Sequence, residues 1–358
     1  MASDSIDLQQ RFSGTQQVGE RHRFDQHRLE EYLKAHISGF QGPLNVREFK
    51  GGQSNPTYRL TSPSGALVLR RKPPGVLLPS AHAVDREYRI ISALNKVDFP
   101  VPRAHVLCRD ESVIGTVFFI MECVEGRVLW DSLLPELNRD ERREIYDSMN
   151  EVLARLHTID FAALGLEDFG RPGNYFARQI DRWSRQYRAS ETEQIPEVDR
   201  LMEWLPENIP DDESISIVHG DYKLDNMITH PSEPRIIAVL DWELCTLGHP
   251  LGDLTYQLSQ RRTPGGNFDG LDDERLRDLG IPTEIEYVNA YCTRTGRAPI
   301  ETLDFYLAYN LFRTAAILQG IAGRVRDGTA ASEHAVEMVK NVRPLARRAI
   351  GFARRLGA

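Results

Sequence analysis

The sequence predicts an α+β chain, with a small antiparallel sheet in its first third and a larger, mainly helical remainder. Three observations carry that expectation. From Asn45 to Arg70, short runs of strand-forming residues are separated by glycine-containing turns. Beyond Gly126, apolar residues recur at helical spacing over residues 139–157, 176–187, 303–325 and 333–356. Between these helical stretches, two short apolar runs at 215–218 and 236–240 enclose a polar loop that begins at His219. With 358 residues, 41% hydrophobic and 27% charged, the chain has ample material for such a core.

Residues 1–24 are rich in Gln, Ser and Gly and are expected to form a loose N-terminal arm. Residues 25–37 read as a helix with Leu29, Tyr32, Leu33 and Ile37 on one face. Residues 45–50 and 57–60 flank the turn Gly51-Gly52-Gln53-Ser54-Asn55, and Ser62-Pro63-Ser64-Gly65 turns the chain into Ala66-Leu67-Val68-Leu69-Arg70. The proline-rich stretch 72–83 reads as a loop, 84–94 as a helix and 113–121 as a strand. The change of character at 123–126 divides the chain into a smaller domain, 25–122, and a larger one, 123–358.

The residues most charged with chemistry are His219-Gly220-Asp221-Tyr222-Lys223-Leu224-Asp225-Asn226, followed by Leu240-Asp241-Trp242-Glu243. Phosphoryl transfer from ATP needs a carboxylate to orient and deprotonate the acceptor hydroxyl. It also needs an amide oxygen and a second carboxylate for magnesium. Asp221, Asn226 and Asp241 would supply that set from the ends of two buried strands. Asn226 follows Asp221 by five residues, the interval of the kinase pattern H-R-D-L-x-x-x-N. One such motif alone could be a polar turn whose Asp and Asn cap backbone groups. The second acidic motif, fifteen residues after Asn226, favours the chemical reading. Glu243 is a further metal-ligand candidate, or a plain strand-end carboxylate. His219 and Asp253 read as structural supports, Asp253 accepting backbone N–H groups of the loop.

Other parts of a nucleotide site follow from position. The turn Gly51-Gly52-Gln53-Ser54-Asn55 stands where a loop covering phosphates would stand, although a hairpin turn has the same composition. Arg70 occupies the place of the third-strand cation, with Arg71 and Lys72 next to it, and Val68 would lie under the adenine. A guanidinium in place of lysine still binds phosphate, in bidentate fashion. Glu87 is the candidate helix partner of that cation. Glu122 to Val124 would be the hinge whose backbone meets the adenine.

Together these residues resemble the aminoglycoside phosphotransferase-like superfamily, which implies a protein kinase-like bilobal fold, ATP and magnesium. Gly220, where protein kinases carry Arg, is similar to the aminoglycoside phosphotransferase and choline kinase branch. Leu69-Arg70-Arg71-Lys72-Pro73-Pro74-Gly75, Leu78-Pro79-Ser80-Ala81-His82 and Tyr175-Phe176-Ala177-Arg178-Gln179 resemble, more narrowly, the phosphotransferase domain associated with acyl-CoA dehydrogenases. That resemblance implies a small-molecule hydroxyl acceptor, with 4-hydroxyacyl-CoA favoured, and an acyl-CoA dehydrogenase as partner. A kinase for an aminoglycoside or other amino-alcohol, and a pseudokinase that only binds nucleotide, are the alternatives. Arg178, Arg182 and Arg185 fall on one helix face and suit the phosphates or acid group of an acceptor. The plainer alternative is a solvated face paired with Asp181.

A net charge of −8 argues against nucleic acid or an anionic membrane as a general partner. Cys108, Cys123, Cys245 and Cys292 are far apart, as in a cytoplasmic protein with reduced thiols. The N-terminal residues lack the apolar stretch of a signal peptide. The histidines show no zinc-binding spacing.

Overall fold

The structure, a computed structural model, describes residues 12–51, 55–73, 83–327 and 335–358. Its chain divides into two compact units, Met1–Val152 with Lys223–Cys245 and Leu153–Tyr222 with Thr246–Ala358.

The first unit begins with β1 (Thr15–Gln16), α1 (Gln26–His36), β2 (Asn45–Phe49), β3 (Thr57–Ser62) and β4 (Gly65–Arg71). After α2 (Val84–Asn95) come β5 (Ala104–Cys108) and β6 (Phe118–Glu122). The six strands form an antiparallel sheet in the order β1-β2-β3-β4-β6-β5. Strand alternation gives the sheet two uses. Val46, Tyr58, Leu60, Leu69, Phe118 and Ile120 pack with Leu29 and Leu33 of α1. Val68 and Arg70 alternate onto the other face, where Tyr88 of α2 meets Phe119 edge-on. Asp25 caps α1 by accepting the Arg28 N–H at 3.0 Å.

Two expectations need correction here. From Phe12 onward the arm is held rather than loose, because β2 has an open backbone edge that β1 covers. The Trp130 indole also donates to Ser13 at 2.9 Å. The strand expected at 113–121 starts only at Phe118, since Gly115 turns the chain with φ +86°. Its neighbour β5 was not foreseen.

Helix α3 (Arg139–Thr158) carries the chain into the second unit, which continues with α4 (Tyr175–Ser190), α5 (Pro196–Glu207) and β7 (Ser216–Val218). The chain returns to the first unit for β8 (Met227–Thr229) and β9 (Ile236–Val239), which pair with each other. It then enters β10 (Thr246–Gly248), which pairs with β7. The two apolar runs seen in the sequence therefore each have a partner that was not recognised. Helices α6 (Leu251–Gln260), α7 (Asp273–Leu279), α8 (Glu284–Thr295), α9 (Leu303–Arg326), α10 (Ala335–Val339) and α11 (Val342–Arg355) complete the second unit. Helix α9 is apolar around most of its circumference and packs against α4, α6 and α11. The single helix expected over 333–356 is broken between α10 and α11. Pro344 lacks an N–H for the Lys340 carbonyl and would clash with it in an unbroken helix, so it stands in the first turn of a new one. No helix among the described residues is long and apolar enough to cross a membrane.

Candidate active site

Arg70 and Arg71 are adjacent and opposite. The pleat of β4 sends Arg71 toward α1, where it donates to the Tyr58 hydroxyl and the His22 carbonyl, each at 3.0 Å. Arg70 faces α2 instead, and its Nε lies 2.7 Å from Glu87. Its other arm is ion-paired with Asp241, and Glu243 stands 4.0 Å away. The Asn55 amide donates to Glu87 at 2.8 Å and to Glu243 at 3.4 Å. Five residues from four distant stretches of the first unit thus meet around one guanidinium.

The pairing of β8 with β9 delivers the acidic end of this cluster. Met227 lies opposite Val239, and the Leu240 N–H donates to the Asn226 carbonyl at 2.8 Å. Asn226 therefore stands across from the residue that precedes Asp241. The chain then turns sharply. Asp241 has φ 62° and ψ 62°, a left-handed conformation that costs a side chain with a Cβ about 1 kcal/mol or more. Buried Trp242 fixes the turn through its indole N–H on the Val239 carbonyl at 3.0 Å.

Among the described residues, the Arg70 guanidinium faces three carboxylates in this cluster. Burial pushes the Glu87 carboxyl up to about 7, the Arg70 charge opposes this, and Asp241 and Glu243 add to it. Burial disfavours the Arg70 charge as well, but Glu87, Asp241 and Glu243 more than restore it. Asp241 and Glu243 keep 26% and 21% of their side chains exposed. Two partly accessible carboxylates and the amide of Asn226 are donors of the kind that magnesium takes, since it binds one or two carboxylates and completes its shell with phosphates and water.

The second unit holds the loop that carries Asp221. Asp253, on α6, is buried and accepts the His219 N–H at 2.6 Å and the Gly220 N–H at 2.8 Å. Burial raises its carboxyl, but His157, at 3.5 Å, the charge of His219 and the Gly220 N–H hold it below the ordinary range. Gly220 has φ +86°, a conformation that suits glycine, and its carbonyl accepts from Arg313 at 2.6 Å. The Asp221 N–H donates to the His219 ring at 3.2 Å. The Asp221 carboxylate accepts the Tyr256 hydroxyl at 2.6 Å.

Comparison with known proteins gives the family. A sequence profile for the phosphotransferase enzyme family, designated APH, matches residues 45–291. The chain belongs to that family. It is 44% identical to mouse acyl-CoA dehydrogenase family member 10 over 92% of this chain and 31% of the relative. It is 42% identical to chicken acyl-CoA dehydrogenase family member 11 over 96% of this chain and 45% of the relative. The chain thus spans from about a third to just under half of these relatives. A crystal structure from Ralstonia eutropha, of a candidate aminoglycoside phosphotransferase, superposes with a TM-score of 0.85 at 50% identity. It covers 93% of this chain and 99% of that one, and the α+β, kinase-like fold is shared.

In this phosphotransferase the remaining sequence-predicted residues are distributed as follows. Gly51 approaches so closely that an added Cβ would lie 3.3 Å from the Phe12 carbonyl and from the Trp130 ring. Gly52, Gln53 and Ser54 lie outside the described residues, as does the stretch 78–82. Val68 is buried on the Arg70 face of β4. The Glu122 N–H donates to the Arg103 carbonyl at 2.8 Å, and its carboxylate accepts from the Arg103 N–H at 3.1 Å. Val124 is half-buried just beyond β6. The three arginines of α4 do not converge. Arg178 binds the carbonyls of Gly173 and Arg171, Arg182 lies over the Trp183 ring, and exposed Arg185 pairs with Asp181 at 2.7 Å. Sequence reading missed Tyr256 and Arg313. Tyr256 was within reach, since it lies one helical turn beyond Asp253. Arg313 carried no local signal.

Proposed function

We propose that the protein transfers the γ-phosphoryl group of ATP to a hydroxyl of a small acid or its CoA thioester, a 4-hydroxyacyl-CoA above all. The observation that carries the kinase reading is the cluster of Asn55, Arg70, Glu87, Asp241 and Glu243 around one buried guanidinium. In this reading Arg70 holds phosphate oxygens, and Glu87 and Asn55 fix its orientation. Asn226, Asp241 and Glu243 would hold magnesium, which supplies positive charge against the phosphates. Gly51 and Asn55 border the segment that this reading assigns to the phosphates. Val68 and the chain at Glu122 to Val124 receive the adenine.

Asp221 accepts the proton of the acceptor hydroxyl as its oxygen bonds to phosphorus and the bond to ADP breaks. His219 and Asp253 keep its loop in shape. Such a transfer needs little covalent help from the protein, so placement and charge neutralisation dominate.

The acceptor class rests on the relatives. Both are named as acyl-CoA dehydrogenase family members, which supports an acyl-CoA acceptor and an acyl-CoA dehydrogenase as partner. Four free cysteines support a reducing, cytoplasmic setting. The second reading, a kinase for an aminoglycoside or amino-alcohol, is favoured by the name of the Ralstonia protein.

An acceptor panel separates them. ADP release is followed with Mg-ATP and a 4-hydroxyacyl-CoA, the free hydroxy acid or an aminoglycoside. Turnover confined to the thioester and its acid supports the first reading. Turnover on the aminoglycoside alone replaces it with the second. Nucleotide binding with no turnover on any alcohol would leave a pseudokinase.

A further inference from the structure

We propose that Tyr256 is a positioning residue for Asp221, held in its own place by Arg313. This rests on the assignment of Asp221 as the group that receives the hydroxyl proton, and deepens it.

A carboxylate at the end of a short side chain can still rotate about its last bond. A proton acceptor that rotates presents its lone pairs in the wrong direction part of the time, and orientation is what such a site supplies. The structure contains a device against that rotation. The Tyr256 hydroxyl donates to one Asp221 oxygen, Oδ1, at 2.6 Å. With Oδ1 tied, the direction of Oδ2 is set.

Tyr256 cannot easily drift, because it lies on α6 with its side chain almost wholly buried. The same helix presents Asp253 three residues earlier, and Asp253 holds the backbone of His219 and Gly220. One rigid helix therefore fixes the loop's backbone and its reactive side chain together. Arg313, on α9, adds the third contact. It is buried, its guanidinium carbon lies 4.7 Å from the centre of the Tyr256 ring, and it donates to the Gly220 carbonyl at 2.6 Å. A buried cation is costly unless it is well partnered, so an arginine spanning loop and ring is a specific arrangement rather than filler.

The test compares wild type with Tyr256→Phe, which deletes one hydroxyl. Crystal structures need no acceptor. The expected result is an Asp221 carboxylate that is turned, or split between two orientations, in Tyr256→Phe, with Asp253 still bonded to His219 and Gly220. The same single orientation in both proteins would overturn the proposal.

Kinetics with Mg-ATP and a 4-hydroxyacyl-CoA supply the second arm. There kcat should fall about tenfold, the scale of a hydrogen bond to a charged group, with KM for ATP unchanged. Added to Asp221→Asn, the same substitution should cost nothing further. A full tenfold loss in that background would mean that Tyr256 acts elsewhere, and would sink the idea. A wild type inactive on the thioester counts against the proposed acceptor, not against the positioning, which the crystal structures then decide.

Discussion

The Nε atom of Arg70 lies 2.7 Å from a carboxylate oxygen of Glu87, and both side chains are buried. The contact joins a strand to a helix through charge. Among the described residues the guanidinium also faces Asp241 and Glu243, and that makes the partners unequal.

Removing Arg70 takes the same cation from Glu87, Asp241 and Glu243 at once, whereas removing Glu87 leaves the guanidinium with Asp241 and Glu243. Arg70→Met should destabilise by about 3 to 5 kcal/mol, as expected when a buried pair loses one member. Glu87→Leu should cost clearly less. Urea denaturation of both variants checks the order, and equal losses would refute the charge argument.

Asp221→Asn keeps the size of the side chain and removes its capacity to take a proton. Turnover should fall roughly a hundred- to ten-thousand-fold, while calorimetric affinity for Mg-ATP stays close to wild type. A parallel loss of nucleotide affinity would move Asp221 out of the proton-accepting role.

Asp253 accepts two backbone N–H groups with its two oxygens. Asp253→Ala leaves both donors buried, at a cost of about 3 kcal/mol or more. Asp253→Asn retains one acceptor oxygen and should fall between. Denaturation midpoints of the three proteins test that order.

His249 packs against the rings of Phe176 and Tyr306, accepts the Leu251 N–H on Nδ1 at 3.2 Å and faces Asp212 with Nε2. Burial pushes it down to about 4, although Asp212 works the other way. The unfolded chain, with an ordinary histidine, therefore binds the proton more readily between about pH 6.5 and 4. The contribution of neutral His249 is fully present above that window and is lost as pH falls through it. His249→Gln should lose less stability than wild type on acidification from pH 6.5 to 4, read as melting temperature.

Much of this was legible because period and spacing are local. The helices at 26–36, 84–95 and 139–158 follow their apolar period to within a residue or two. The cluster was legible in part. The strand cation and Glu87 can be named from position, but only the pleat distinguishes Arg70 from Arg71. The three-residue strands β8 and β10 are too short to show alternation, so the pairing that sets Asn226 beside Leu240 was hidden. Arg178, Arg182 and Arg185 share a helix face in sequence, yet each is drawn to a different local partner. Arg313 lies ninety-two residues beyond Asp221, and nothing local ties the two.

The most direct measurement is transfer of label from γ-labelled ATP to a 4-hydroxyacyl-CoA, by wild type and by Asp221→Asn, with the product identified by mass. The account predicts a labelled 4-phosphoacyl-CoA from wild type and almost none from the variant. Equal labelling by both proteins, or nucleotide binding with no phosphorylated product on any hydroxyl acceptor, would contradict it.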